Sequence, residues 1–430
     1  MTEQPFKTID RRQMLRLLGA SGLAVTAAAC AGPGSGTSAK AGGVKTGKAT
    51  GKISFAHWRG EDKDVFQQLI GQFAKKHPDV QVSQDVAPSN DYNAQALQRL
   101  RGGKVGDAFT TFRGSQFEDF VKAGIYADLS GTGLASGYES GLITPGAQNG
   151  KQYGLPYQVV FPMPIYNEDL FAKADAGGLP SDWDGFLALC DKLKGKGITP
   201  IAWPGGEPGN AGQLFNSMVS NNAPTDDMCS KIQSGEYKCT DDWFITTLKQ
   251  YAQLRPYFQS NPTGTAVEPA QQMFATGKAA MLATGSYNIA AVRKLGAKFP
   301  IDLIAPITTT ADKARNKGVS NSTFILGVNA ASELQPAALE WIRFLSDPAN
   351  AGTYANATAQ HVTVKNVEYT NPDLKKLAPW LSRKTLLAPR YQFLDLDIRN
   401  AVEGACAKVV GGAQPEKAAE AAQRVVDQRR

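Results

Sequence analysis

From residue 51 onward the hydrophobic positions change period in a regular way. Lys52-Ile53-Ser54-Phe55-Ala56 reads as a strand, and Val65, Phe66, Leu69, Ile70 and Phe73 then recur at the spacing of one helical face. After Pro78 a second strand runs through Val80, Val82 and Val86, and a helix with Ala96, Leu97 and Leu100 ends at Gly102-Gly103. A short run from Asp107 to Phe112 follows. Strand, helix, strand, helix, strand within about 60 residues predicts a parallel, doubly wound α/β sheet. Such sheets take ligands beyond the carboxyl ends of their strands, and those ends carry His57-Trp58-Arg59 and Phe112-Arg113. Helical patterns dominate later, at 183–194, 243–254, 270–276, 337–345 and 415–426, with strands expected at 301–304 and 324–328. No repeat period is evident.

Composition sets the scale. The chain has 430 residues, 42% hydrophobic and 20% charged, which excludes a disordered or collagen-like protein and fits two to three domain-sized units or one bilobal body. Its net charge of +7 sits mostly at the front. Through residue 29, Lys7, Arg11, Arg12 and Arg16 face only Glu3 and Asp10, and Lys40, Lys45 and Lys48 follow with no acid before residue 51. The folded part shows no basic run and no aromatic-basic stripe, so nucleic acid is not an expected partner.

The front end reads as an export signal over residues 1–29. Asp10-Arg11-Arg12-Gln13-Met14-Leu15-Arg16 precedes an apolar stretch from Leu17 to Ala29, too short and too interrupted to span a membrane stably. The paired arginines resemble the twin-arginine export motif. Ala27-Ala28-Ala29-Cys30 resembles a bacterial lipoprotein box, in which the Cys30 thiol would be lipidated; a plain secretory signal with an incidental cysteine is the alternative. Residues 30–51 are then expected to form a flexible Gly/Ala/Ser/Thr/Lys tether, its ends on the order of 25 Å apart, holding the body near the outer face of a cell membrane.

Four cysteines remain in the body. Cys229 and Cys239 bracket a short polar loop and could form a staple contributing roughly 2–3 kcal/mol. Cys190 and Cys406 lie on apolar helical faces and read as buried thiols. With three histidines and no C-x-x-C, no metal site and no cofactor is expected.

Several segments together resemble the extracellular solute-binding proteins of carbohydrate ABC importers, the family that includes maltose-binding protein. These are Tyr153-Gly154-Leu155-Pro156-Tyr157, Pro164-Ile165-Tyr166-Asn167-Glu168-Asp169-Leu170-Phe171, and Pro180-Ser181-Asp182-Trp183-Asp184-Gly185-Phe186, whose Ser181 or Asp182 can cap a helix. Phe274-Ala275-Thr276-Gly277-Lys278-Ala279-Ala280-Met281 followed by Gly285-Ser286-Tyr287 is the most specific match. Leu326-Gly327-Val328-Asn329 and Ala338-Leu339-Glu340-Trp341-Ile342 match the return segment. The resemblance implies an α/β, two-lobed periplasmic-binding-protein fold (type II-like) with discontinuous domains and a hinge. One lobe would comprise 51–158 plus 325–363 and the other 159–324 plus 364–430, with crossings near Val159, Phe324 and Val364. It also implies a monomer that captures a sugar or oligosaccharide by hinge closure and passes it to membrane permease subunits.

A sugar presents C–H patches, which suit aromatic faces, and a rim of hydroxyls, which suits planar forks and carboxylates. Trp58 and Arg59 end the first strand, and Arg113 follows the third at the same edge. Tyr157 lies at the first expected crossing. Tyr287 occupies the place where the family commonly sets a stacking tryptophan. Trp203 and Glu207 share a Gly/Pro loop that permits close backbone approach. Asn321 and Ser322 precede the return strand, and Asp395 and Asp397 are further candidates. Paired catalytic carboxylates of a polysaccharide-active enzyme would need a defined separation that sequence spacing cannot supply. G-x-S-x-G and H-E-x-x-H are both absent, and Gly131-x-Gly133-x-x-Ser136 lacks the third glycine of a dinucleotide motif. Binding without catalysis is the expectation, with a ligand-presenting partner of a membrane sensor as the other reading.

Overall fold

The computed structural model describes residues 42–430. The expected export signal, Cys30 and most of the tether lie outside these residues. The tail of the tether, residues 42–50, lies against the body rather than free of it. Gly43 bridges Asp128, the Val44 N–H donates to the Asp128 carbonyl at 2.9 Å, and the Lys45 N–H donates to Gln335 Oε1 at 2.8 Å. Val44 also packs on the neighbouring core, and these contacts together offset the entropy lost on ordering the segment.

Strands β1 (Gly51–His57), β2 (Val80–Val86) and β3 (Ala108–Thr111) pair in parallel, β1 lying between the other two. Their crossovers are the helices Lys63–Lys76 and Ser89–Leu100, as the change of period in the sequence requires. The short β4 (Ala147–Gln148) and β5 (Lys151–Gln152) form a separate antiparallel ribbon. Next come β6 (Leu155–Val160) and then four short strands of a second sheet. These are β7 (Ile165–Asn167), β8 (Thr199–Ala202), β9 (Ala279–Leu282) and β10 (Ile301–Leu303), in the spatial order β10-β7-β9-β8. The chain returns to the first sheet through β11 (Val319–Val328), β12 (His361–Val362) and β13 (Leu386–Leu387). The first sheet then runs β12-β6-β11-β3-β1-β2, with β13 paired to the start of β11. The expected parallel register holds for β1 to β3, whereas β11 is antiparallel to both β3 and β6.

Each sheet has its own core. Phe55, Phe66, Phe73, Phe109 and Trp341 fill the first, while Phe186, Phe215, Phe244, Phe274 and Met281 fill the second. The chain changes core between Tyr157 and Val159, and again between Val319 and Phe324. Val364 still packs in the first core, and the last change falls between Leu374 and Leu377.

Phe324 is the odd residue of β11. Its φ of 55° lies in the left-handed region, which costs a bulky residue about 1–3 kcal/mol. The pairs on either side, Thr323 with Gln158 and Ile325 with Pro156, keep their register around it. Its ring is held edge-on to Trp58, at 5.0 Å between centroids, and stacked on Phe66 at 5.9 Å.

The staple expected between Cys229 and Cys239 is not formed: both are free, buried thiols, as are Cys190 and Cys406. The segment between them is not a polar loop to be tied. The helix Met228–Ser234 begins there and turns Cys229 inward with Met228 and Ile232. Cys239 is anchored separately, its N–H donating to Gln423 Oε1 at 2.7 Å. Burial pushes the Cys229 and Cys239 thiols up, so both stay protonated and unreactive. Among the described residues no helix is long and apolar enough to cross a membrane, and no three His, Cys, Asp or Glu side chains are grouped to hold a metal ion.

Candidate functional site

A cleft of about 600 Å³ opens between the two cores. Trp58, Arg59, Glu61, Phe112 and Gln158 line it from the first sheet and its loops. Glu207, Asn210, Gln271, Tyr287 and Asn288 line it from the second. The return segments add Asn321, Thr323, Arg390, Tyr391 and Arg399. The wall is thus a few aromatic rings set among amides, guanidinium groups and the carboxylates of Glu61, Glu207 and Glu268.

The loop after β1 supplies the most tightly held group. Arg59 Nε and Nη2 donate to the two Asp62 oxygens at 2.7 and 3.1 Å, and Nη1 lies 2.9 Å from Glu61 Oε1. Burial alone would weaken the charged form, but Asp62 and Glu61 outweigh it and raise the pKa of Arg59. Behind them the Tyr354 hydroxyl donates to Asp62 Oδ2, and the Gln158 amide donates to that hydroxyl. One chain of bonds therefore fixes two cleft-facing side chains, Arg59 and Gln158. Trp58 stacks on Phe112 at 3.7 Å between centroids, so the two rings present one wall.

On the second sheet, the loop after β8 is built over Trp203. A side chain at Gly205 would stand 2.3 Å from the Trp203 ring, so only glycine lets the loop lie this close. Glu207 then accepts from Asn210 Nδ2 at 2.7 Å and from the Val267 N–H at 3.1 Å. Tyr287 follows β9, and Gly285 makes room for its ring. The Tyr287 hydroxyl is buried without a hydrogen-bond partner among the described residues, and burial raises its pKa. Gln271 Nε2 donates to Asn288 Oδ1 at 2.6 Å, and Asn288 Nδ2 donates to Thr284 at 2.7 Å.

The third wall comes from the chain after β13. Arg390 forms a two-pronged pair with Glu403, at 2.7 and 2.8 Å, and donates from Nη1 to the Gly209 carbonyl at 2.8 Å. Arg390 and Glu403 are both buried. Arg399 lies on the same helix as Glu403, Leu396–Val410, and belongs to no ion pair among the described residues.

The structure brings together Trp58, Arg59, Glu207, Tyr287 and Asn321 of the sequence candidates. Arg113 stands directly behind them, 3.5 Å from Asn321 Oδ1 and 3.4 Å from the Ala388 carbonyl. Five candidates fall elsewhere. Tyr157 is fully buried and donates to the Leu345 carbonyl at 3.0 Å; strand alternation turns its neighbour Gln158 to the cleft instead. The same alternation sends Asn321 and Thr323 into the cleft and Ser322 away from it, to donate to the Leu142 carbonyl at 2.7 Å. Trp203 is core, stacked on Phe258, with its indole N–H on the Ala211 carbonyl. Asp397 is exposed and 3.4 Å from Arg429, while Asp395 caps its helix by accepting from the Asp397 and Ile398 N–H groups.

Sequence reasoning missed Gln158, Arg390, Tyr391 and Arg399. The amide at 158 could have been found by extending the alternation from Tyr157. Nothing local marks the Arg390-Tyr391 pair, which reaches the cleft only because β13 joins the first sheet.

Residues 59–352 match the model of the bacterial extracellular solute-binding protein family. The chain is 24% identical over 372 residues to a multiple sugar-binding protein of Streptococcus mutans, covering 84% of this chain and 85% of that one. Its fold is similar to that of a chitin oligosaccharide binding protein, with a TM-score of 0.76 at 21% identity over 88% of this chain and 98% of the other. A solute-binding protein solved in complex with raffinose gives a TM-score of 0.77 at 18% identity, covering 88% and 100%. The interlobe cleft and the two-sheet fold agree with the family match over most of the chain: this protein belongs to the bacterial extracellular solute-binding proteins.

Proposed function

We propose that the protein captures a sugar or oligosaccharide in the cleft between two lobes and delivers it to the permease subunits of an ABC importer. The carrying observation is the wall itself: the Trp58–Phe112 stack and Tyr287 offer faces for C–H patches, and Gln158, Asn210, Gln271 and Asn321 offer paired donors and acceptors for hydroxyls. The sugar-binding relatives support this assignment. The lobes would be the bodies around the two sheets, closing by rotation about the three core-crossing segments. Binding without catalysis is supported by the engagement of the inner carboxylates, Glu61 with Arg59 and Glu207 with Asn210 and the Val267 N–H. A monomer tethered to the outer membrane face through lipid on Cys30 completes the reading. Replacing Cys30 by Ser is expected to release it from membranes.

Calorimetry against a panel of neutral and acidic oligosaccharides tests the proposal. Saccharide binding supports it; binding of peptides with no response to any saccharide would overturn it.

A further inference from the structure

The charges of the cleft are unevenly matched. Arg59 faces two carboxylates, Glu61 and Asp62. At the opposite wall, Arg390, Arg399 and Arg113 all lie near Tyr391, and among the described residues Glu403 is the one carboxylate beside Arg390 and Arg399. Both Glu403 oxygens are taken by Arg390. Arg399 Nε is buried with no hydrogen-bond partner among the described residues, although Arg399 lines the cleft. Among the described residues Arg113 has two long contacts, to an amide oxygen and a backbone carbonyl, and no carboxylate partner. Burial and the nearby Arg390 charge push the pKa of Arg399 down, and burial lowers that of Arg113 to about 10. Arg399 is half-buried, and a guanidinium beside another cation with no carboxylate of its own among the described residues is poorly stabilised until an anion arrives.

Resting on the sugar reading above, we infer that the saccharide carries an anionic group, a carboxylate or a phosphate, seated at the Arg399–Tyr391 wall, with Arg113 behind it. A planar guanidinium fork in the cleft lining that no carboxylate engages among the described residues suits an oxyanion, whereas a neutral hydroxyl would leave the charge unmet. Glu207 and Glu268 do not oppose this. Glu207 is bonded to its own loop and to the Val267 N–H, and Glu268 is exposed at the start of the helix Val267–Ala275. The remaining wall, with Trp58, Phe112 and the amides, would take the neutral rings.

The test titrates the purified protein calorimetrically with three matched probes: a neutral oligosaccharide, the same chain ending in a uronic acid, and the same chain ending in a sugar phosphate. At least one anionic probe is expected to bind about tenfold or more tightly than the neutral one. Whichever anionic probe gains identifies the group. In wild-type protein this advantage is expected to shrink several-fold as salt rises to 0.5 M. In Arg399→Gln the anionic-to-neutral affinity ratio is expected to fall to within about twofold of one. Neutral binding as tight as both anionic probes, an anionic advantage insensitive to salt, or an advantage kept by folded Arg399→Gln would each overturn the inference and leave the sugar reading standing. Failure of every saccharide, neutral or acidic, would overturn both.

Discussion

Tyr287 ends in a buried hydroxyl that meets nothing among the described residues, while its ring forms part of the cleft wall. Such an orphan costs roughly 1–3 kcal/mol, a penalty that a ligand hydroxyl or oxyanion could relieve. Tyr287→Ala is expected to weaken saccharide binding by about 1–3 kcal/mol in calorimetry. Tyr287→Phe keeps the ring and separates the two contributions. It is expected to unfold thermally no earlier than the wild type yet to bind more weakly by about 1 kcal/mol. Position along the chain pointed Trp58 and Arg59 at the cleft because they follow a strand, and the family resemblance pointed to Tyr287; all three line it. It could not tell Asn321 from Ser322 or Gln158 from Tyr157. Those segments are buried on both faces, so no polar alternation reveals which side chain looks into the cleft.

At the level of elements, the Arg390–Glu403 pair ties the segment after β13 to the helix Leu396–Val410. Both partners are almost wholly buried, at 3% and 7% exposure, and the pair is bonded at both prongs. Removing one partner leaves the other charge dry. Glu403→Gln is therefore expected to lower stability by about 3–5 kcal/mol in denaturant unfolding. The four buried thiols give a second prediction: a reducing agent should leave Tm unchanged, and a clear fall would restore the staple between Cys229 and Cys239. Parallel pairing of β1, β2 and β3 was legible because helices of crossover length separate the strands. The antiparallel return of β11 was not, since antiparallel direction there depends on contacts with β3 and β6 made far apart in sequence.

For the whole molecule, two histidines set a pH response. Burial pushes His57 and His361 down to about 4, so both are neutral in the fold. The unfolded chain takes up protons near pH 6.5 while the folded chain does not. Stability is thus full above that pH and declines as pH falls towards 4, which thermal unfolding between pH 7 and 4 would follow. A flat profile across that range would contradict the assignment. The six tryptophans offer a different consequence. Trp183, Trp203, Trp243, Trp341 and Trp380 pack in or against the two cores, and only Trp58 lines the cleft. The protein thereby carries its own optical probe. A change in tryptophan emission on adding ligand should arise at Trp58 and vanish in Trp58→Phe, so occupancy can be followed in solution without any label.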